Sequence, residues 1–254
     1  MKYGISELAI VPIRAEASDK AEMVNQILFG EHFKVLDQHI KWSKIRLAHD
    51  KYEGWICNKQ WTEIDKEIYN DLERQPPTLT TELLDIVTAE SHQTIALGSS
   101  LPNYNEGTFS IKNNDYSHGG ETTKGSEDKA MLVNNAMLYL NTPYLWGGRT
   151  PFGIDCSGFS QIVYRLQGKE IPRDAYQQAE IGNTLSFIEE SEPGDLAFFD
   201  NHEGKIIHVG IILENNFIIH ASGKVRVDRL DQQGIFNAEE RKHTHKLRLI
   251  KSII

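Results

Sequence analysis

The chain is poor in the features that would cross-link it, anchor it or make it basic. Its 254 residues include only two cysteines, Cys57 and Cys156, so one disulfide is the most it can form and no cystine framework of the secreted kind is present. No apolar stretch approaches the ~20 residues that span a bilayer. The opening, MKYGISELAIVPIRAEAS, lacks the unbroken apolar core of a signal peptide, because Pro12, Arg14 and Glu16 interrupt it. If Met1 is the native start, a cytoplasmic location is expected. Positive charge is in deficit: 27 Lys and Arg stand against 36 Asp and Glu, a net −9. That balance argues against nucleic acid and anionic membrane as partners. No close-spaced ligand pair of the CxxC or HExxH kind occurs, and no metal or organic cofactor is expected.

What remains is ordinary for a globular protein, with 39% hydrophobic and 25% charged residues. Residues 1–65 read as short strands, with apolar and polar residues alternating in WSKIRLA and turn-like segments such as HDKYEG between runs. That rhythm predicts a small β-barrel. Cys57, in the apolar run GWICNKQW, is expected to be buried and inert. Residues 66–127 begin with a proline-rich connection, RQPPTLTT, and continue with ELLDIVTAE, TIALGSSLP and GTFSIKN, which predict a second small β-rich domain.

From residue 128 the character changes. DKAMLVNNAMLYLN carries Met131, Val133, Ala136, Met137 and Leu140 at helical spacing. CSGFSQIVYRLQG reads as a helix with Phe159, Ile162, Val163 and Leu166 on one face and Gly168 as its stop. PRDAYQQAE suggests a short helix, and DLAFFD, HVGIIL, FIIHAS, VRVDRL and KLRLIKSI read as strands. Helices followed by mostly antiparallel strands give an α+β domain over 128–254.

Cys156 sits at the start of the second helix, with Asp155 as candidate N-cap. Unpaired N–H groups and the helix dipole favour a thiolate there, whereas the neighbouring carboxylate opposes it. A nearby imidazole would tip the balance. His208 opens one strand and His220 closes the next. A three-residue loop over 214–216 would place Gly210 opposite His220 and bring both histidines to one face. A two-residue Asn-Asn turn would separate them. In the first arrangement His208 can take the thiol proton while His220 fixes its orientation. Each residue also has an inert reading: a helix-start cysteine packs as a small hydrophobe, and ten histidines make any one pairing weak. A zinc site of Cys156, His208 and His220 is the other alternative. The histidines of HTH at 243–245 are expected to be exposed.

TPYLWGGRTPFGIDCSGFSQIVYRLQGKEIPRDAYQQA, EPGDLAFFD, HVGIIL and FIIHAS together resemble the NlpC-type cysteine peptidases, a papain-like group, and VPIRAEAS, LFGEHFKVL, WSKIRL and YEGWI resemble a bacterial SH3-like domain. The resemblance implies Cys156 as nucleophile, His208 as general base and His220 as the orienting third residue. It also implies that Tyr144 acts with the Cys156 N–H on developing negative charge. The implied substrate is a small muropeptide with a free N-terminal L-Ala, cut at the γ-D-glutamyl bond to a diamino acid by a monomeric enzyme of murein peptide recycling. Asp155, Ser157, Asp174, Tyr52 and Glu22 are the candidate substrate-binding residues. A serine common in related sequences is replaced here by Ala175. Two rivals remain: an amidase or acyltransferase using the same Cys-His site, and a non-catalytic cell-wall-binding protein.

Overall fold

Alternation of apolar and polar side chains builds the first part of the chain. In Trp42–Leu47 the buried residues are Ser43, Ile45 and Leu47, and in His32–Gln38 they include Phe33 and Val35. A strand with this period offers one face to a core and the other to solvent. The computed structural model describes residues 1–254 and divides them into two compact units, Met1–Lys124 and Gly125–Ile254.

In the first unit, seven antiparallel strands between Lys2 and Ile64 form one sheet around Val11, Ile13, Ile27, Phe33, Val35, Ile45, Leu47 and Ile56. Gly54 allows two strands to meet closely here: a Cβ at that position would lie 2.3 Å from Ile13 Cγ2. Cys57 is half-buried, at the end of its strand rather than in the core. A helix not foreseen in the sequence, Lys66–Arg74, follows and buries Tyr69. Strands over Leu84–Thr88, His92–Ala96, Thr108–Ile111 and Asn114–His118 then form a four-stranded sheet. Their Val87, Ile95, Phe109, Ile111 and Tyr116 pack in one cluster with Ile5, Phe29, Ala48, Ile64 and Tyr69. The two β-rich segments of this unit therefore share a core.

The second unit opens with α1 (Lys129–Leu138), whose N-cap Asp128 accepts hydrogen bonds from the Ala130 and Met131 N–H groups. Its inward stripe is Leu132 and Ala136, continued by Tyr139. Met131, Met137 and Leu140, expected on the core face, are exposed. Both this i, i+4, i+7 set and the neighbouring Val133, Ala136, Met137 and Leu140 keep to one side of a helix, so periodicity alone does not choose between them, and packing in the folded unit does. In α2 (Cys156–Leu166) every residue is buried. Several of its polar groups are met within the fold: Ser160 donates to Gln178 at 2.7 Å, Gln161 to the Ile171 carbonyl at 3.1 Å, and the Tyr164 hydroxyl to the Gly194 carbonyl at 2.5 Å. A single-turn α3 (Ala175–Gln178) follows.

The sheet of this unit contains β1 (Asn183–Leu185), β2 (Leu196–Asp200), β3 (Ile206–Leu213), β4 (Phe217–Ser222), β5 (Lys224–Asp231), β6 (Gly234–Asn237) and β7 (Lys242–Ser252). Its order is β1-β7-β2-β3-β4-β5-β6, all antiparallel, and β6 also pairs with β7. Ala197, Phe199, Ile212, Ile218, Leu230, Ile235 and Ile250 pack together on one side of it. Both α2 and α3 pack on β3. The layout is a papain-like α+β domain.

Candidate active site

The β3–β4 hairpin decides where the histidines go. Glu214–Asn216 forms a single 3-10 turn in which Asn215 and Asn216 take left-handed conformations, with φ of 57° and 58°, a region asparagine tolerates better than most residues. The turn is three residues long, so Gly210 pairs with His220. Side chains two apart on a strand share a face, and His208 therefore points to the same side as His220. Their rings meet: His208 Nε2 lies 2.9 Å from His220 Nδ1.

The contact continues into β5, where His220 Nε2 lies 3.0 Å from Asp228 Oδ2. Arg226 holds that carboxylate from the other side, with Nε 2.7 Å from Oδ2 and Nη2 3.1 Å from Oδ1. These bonds keep the Asp228 carboxyl below the usual carboxylate range in spite of its burial. A charged Asp228 accepts, so His220 carries its proton on Nε2 and accepts at Nδ1. His208 must then donate from Nε2, which leaves the lone pair of its ring on Nδ1. His208 is held neutral: burial first, then His220 and His245, push it well below the ordinary imidazole value.

His245, on β7, is half-buried and stacks on His208 with ring centroids 4.2 Å apart. The expectation that this histidine is exposed is thus corrected. The β6–β7 pairing sets it opposite Ile235 with its ring against those of His208 and His220, a placement that sequence position alone does not reveal. Burial, then His220, lowers His245 to about 4 against the pull of Asp228 and Glu240.

Cys156 begins α2 beside this cluster. The Val209 and Ser157 N–H groups hydrogen-bond its sulfur, and Val209 is the residue after His208. Burial, then the Asp155 charge, nevertheless pushes the thiol up to about 12. The helix terminus does not prevail here, and the thiol and the His208 imidazole both rest neutral. Tyr144 is held next to this point by pairing with Ile154 and by its N–H bond to the Gly223 carbonyl at 3.0 Å. Burial, then the negative charge of a Cys156 thiolate and of Asp155, raises its phenol above the ordinary value, so the hydroxyl is a donor at neutral pH.

Asp155 caps α2 as expected, its Oδ1 accepting from Gly158 N–H at 2.7 Å. Its remaining capacity is filled by the protein. Gly147 N–H donates to Oδ2 at 2.8 Å, and Arg173 donates Nη1 to Oδ1 at 2.9 Å and Nη2 to Oδ2 at 2.6 Å. The same Arg173 Nη1 lies 2.9 Å from the Ser157 hydroxyl. The charge expected to meet a substrate ammonium is thus offset by a buried guanidinium. A direct ammonium contact to Asp155 has to displace one of these donors.

Asp174 is half-buried at the N-cap of α3, where it makes no side-chain capping bond. Tyr52 and Glu22 belong to the first unit: Tyr52 is partly buried against the barrel core and its N–H donates to Asp50 at 2.9 Å, while Glu22 is exposed. Sequence reasoning missed Asp228, Arg173 and His245. Asp228 was reachable, since a tight turn at Ser222–Lys224 pairs His220 with Arg226 and so sets residue 228 diagonally across on the same face. Arg173 and His245 left no such signal, because both meet their partners through tertiary packing.

A thiol at a helix start and an Asp–His–His chain on an antiparallel sheet define a papain-like cysteine peptidase. The NlpC/P60 family model matches residues 141–242 and the bacterial dipeptidyl-peptidase SH3 domain model matches residues 13–60. The chain is 30% identical over 236 residues to a gamma-D-glutamyl-L-lysine dipeptidyl-peptidase of Bacillus cereus, covering 79% of this chain and 67% of that one. It is 28% identical over 247 residues to dipeptidyl-peptidase 6 of Lysinibacillus sphaericus, covering 86% and 88%. Among solved structures, an NlpC/P60 family protein from Bacillus cereus superposes with a TM-score of 0.82 at 19% identity, over 98% of this chain and 99% of that one. The chain belongs to the NlpC/P60 family and is a peptidase.

Proposed function

We propose that the chain hydrolyses the γ-D-glutamyl bond to a diamino acid in cell-wall-derived peptides that carry a free N-terminal L-Ala, releasing L-Ala-D-Glu. The observation that carries the chemistry is the Asp228–His220–His208 chain, which leaves a lone pair on Nδ1 of His208, the neighbour of the Val209 whose N–H meets the Cys156 sulfur. The bond assignment is supported by the relatives named gamma-D-glutamyl-L-lysine dipeptidyl-peptidase.

In this mechanism Cys156 attacks the γ-carbonyl of D-Glu while its proton passes to His208 Nδ1. The imidazolium that forms is stabilised through His220 by the Asp228 charge. The carbonyl oxygen becomes an oxyanion facing the Tyr144 hydroxyl and the Cys156 N–H. Collapse breaks the C–N bond, the amine of the diamino acid leaves with the proton from His208, and a thioester remains. Water, losing a proton to His208, cleaves the thioester and restores the thiol. Because the resting pair is neutral, proton transfer accompanies attack rather than preceding it.

Ser157 and Asp174 are proposed to meet the substrate near the nucleophile. A released peptide with a free N-terminus is a recycling substrate. The test is turnover of L-Ala-γ-D-Glu-L-Lys beside its N-acetylated form, with release of L-Ala-D-Glu followed by mass spectrometry. Cleavage of the free peptide alone is expected. Equal cleavage of both removes the terminus requirement, and cleavage of neither removes the bond assignment.

A further inference from the structure

Three imidazoles converge in the second unit although the chemistry above uses two. His208, His220 and His245 each offer a ring nitrogen, and these atoms all lie within 4.8 Å of one another. We propose that they form a binding site for a borderline-soft divalent cation of the Zn²⁺ kind, and that its occupancy switches the peptidase off.

Imidazole suits such ions, and three histidines with one open position is a known zinc geometry. With Zn–N bonds of about 2.0–2.1 Å, tetrahedral ligands stand about 3.4 Å apart. The His208 and His220 nitrogens that face each other are 2.9 Å apart and must part slightly, and His245, stacked on His208 with the planes 26° apart, must turn about its side-chain bonds to aim a nitrogen at the same point. The second shell is already in place. A metal-bound histidine ordinarily gives its other N–H to a carboxylate, which fixes the ring and strengthens the ligand. His220 does this with Asp228 at 3.0 Å, and Arg226 fixes Asp228 in turn. Of the three rings only His245 is more than marginally exposed, which makes its side the entry. The thiol is not a required ligand, unlike in the zinc set of Cys156, His208 and His220 considered from the sequence.

Inhibition follows from the proton count. Without metal, His208 carries its proton on Nε2 and its lone pair on Nδ1. Coordination through Nε2 needs that lone pair on Nε2, so the proton moves to Nδ1 by way of solvent, with none released overall. His220 already presents Nδ1 and keeps its proton for Asp228. A His208 protonated on Nδ1 cannot accept the Cys156 proton, and the nucleophile stays a neutral thiol. The inhibition rests on the base assignment made above, whereas the binding does not.

Binding is therefore measured where no turnover is possible. Zn²⁺ is titrated calorimetrically into Cys156→Ala protein, with Co²⁺ absorption as a second reading of ligand geometry. One ion per chain and an intense tetrahedral Co²⁺ spectrum are expected. In the same background His245→Gln should weaken binding by at least tenfold, and the exposed-neighbour control His243→Ala should leave it unchanged. Circular dichroism checks that each variant is folded, and Asp228→Asn, which keeps all three rings, should weaken binding by a lesser factor. Loss of binding in Cys156→Ala, or equal affinity in His245→Gln, overturns the site. In the unmodified enzyme, inhibition of peptide cleavage by Zn²⁺ at the concentration that saturates Cys156→Ala, reversed by chelation, is expected. Saturated protein that still cleaves overturns the switch and leaves the peptidase reading standing.

Discussion

Gly210 stands directly opposite His220 across the β3–β4 hairpin, and a Cβ on it would lie 2.9 Å from His220 Cβ and 2.7 Å from Ile218 Cδ1. The missing side chain makes room for the His220 ring, which meets His208 at 2.9 Å. Gly210→Ala should cost about 1–3 kcal/mol of stability through overpacking and lower kcat by displacing His220. Urea unfolding together with steady-state kinetics checks both. A variant with unchanged kcat would show that His220 does not need that space.

Cys156→Ala should fold and bind peptide but release no product. Circular dichroism and product analysis test this, and retained turnover would exclude the thiol as nucleophile.

Asp228→Asn removes the charge that fixes the tautomers of His220 and His208. A hydrogen bond to a charged group is worth about 1.5–3 kcal/mol, so kcat should fall by about 10- to 150-fold with KM little changed. The acid limb of the pH profile should also move. A rise in KM at constant kcat would mean that Asp228 serves binding instead.

Thiol reactivity should follow the raised Cys156 value of about 12. Since the folded-state value lies above that of an ordinary thiol, the thiolate fraction is small at neutral pH and grows as pH rises. Iodoacetamide alkylation should accelerate steadily from pH 6 to pH 10 without levelling near neutrality. A plateau below pH 7 would instead reveal a preformed thiolate–imidazolium pair. Catalysis should persist at mildly acidic pH, because His208, held well below the ordinary imidazole value, remains an unprotonated base there.

Arg173→Ala leaves the buried Asp155 charge without its partner. Breaking such a pair costs about 3–5 kcal/mol, which a urea midpoint will show. Asp155→Asn strands the buried Arg173 charge in turn, so a comparable loss is expected. A loss under about 1 kcal/mol in both variants would mean that the ion pair is not what holds the start of α2.

Much of the site was legible because it depends on local geometry. Helix spacing and an N-cap aspartate place Cys156 at the start of α2, and the odd-length turn at 214–216 places both histidines on one face. The periodicity of α1 was read one step out of phase, since methionines fit a hydrophobic pattern whether or not they are buried. The helix at Lys66–Arg74 was missed because it buries a single side chain and its remaining residues are mostly charged or polar.

By itself, then, the amino-acid order determined most of the elements of the second unit and which residue starts α2, and it narrowed the hairpin histidines to two arrangements. These follow from side-chain period, capping and turn chemistry, all of them interactions among near neighbours, while the choice of the three-residue turn was made by the folded hairpin. Only the folded sheet decided that Asp228 would anchor His220, that Arg173 would neutralise Asp155, and that His245 would lie against His208. Those contacts join residues 8, 18 and 37 positions apart, and packing of whole elements, rather than local sequence, brings them together.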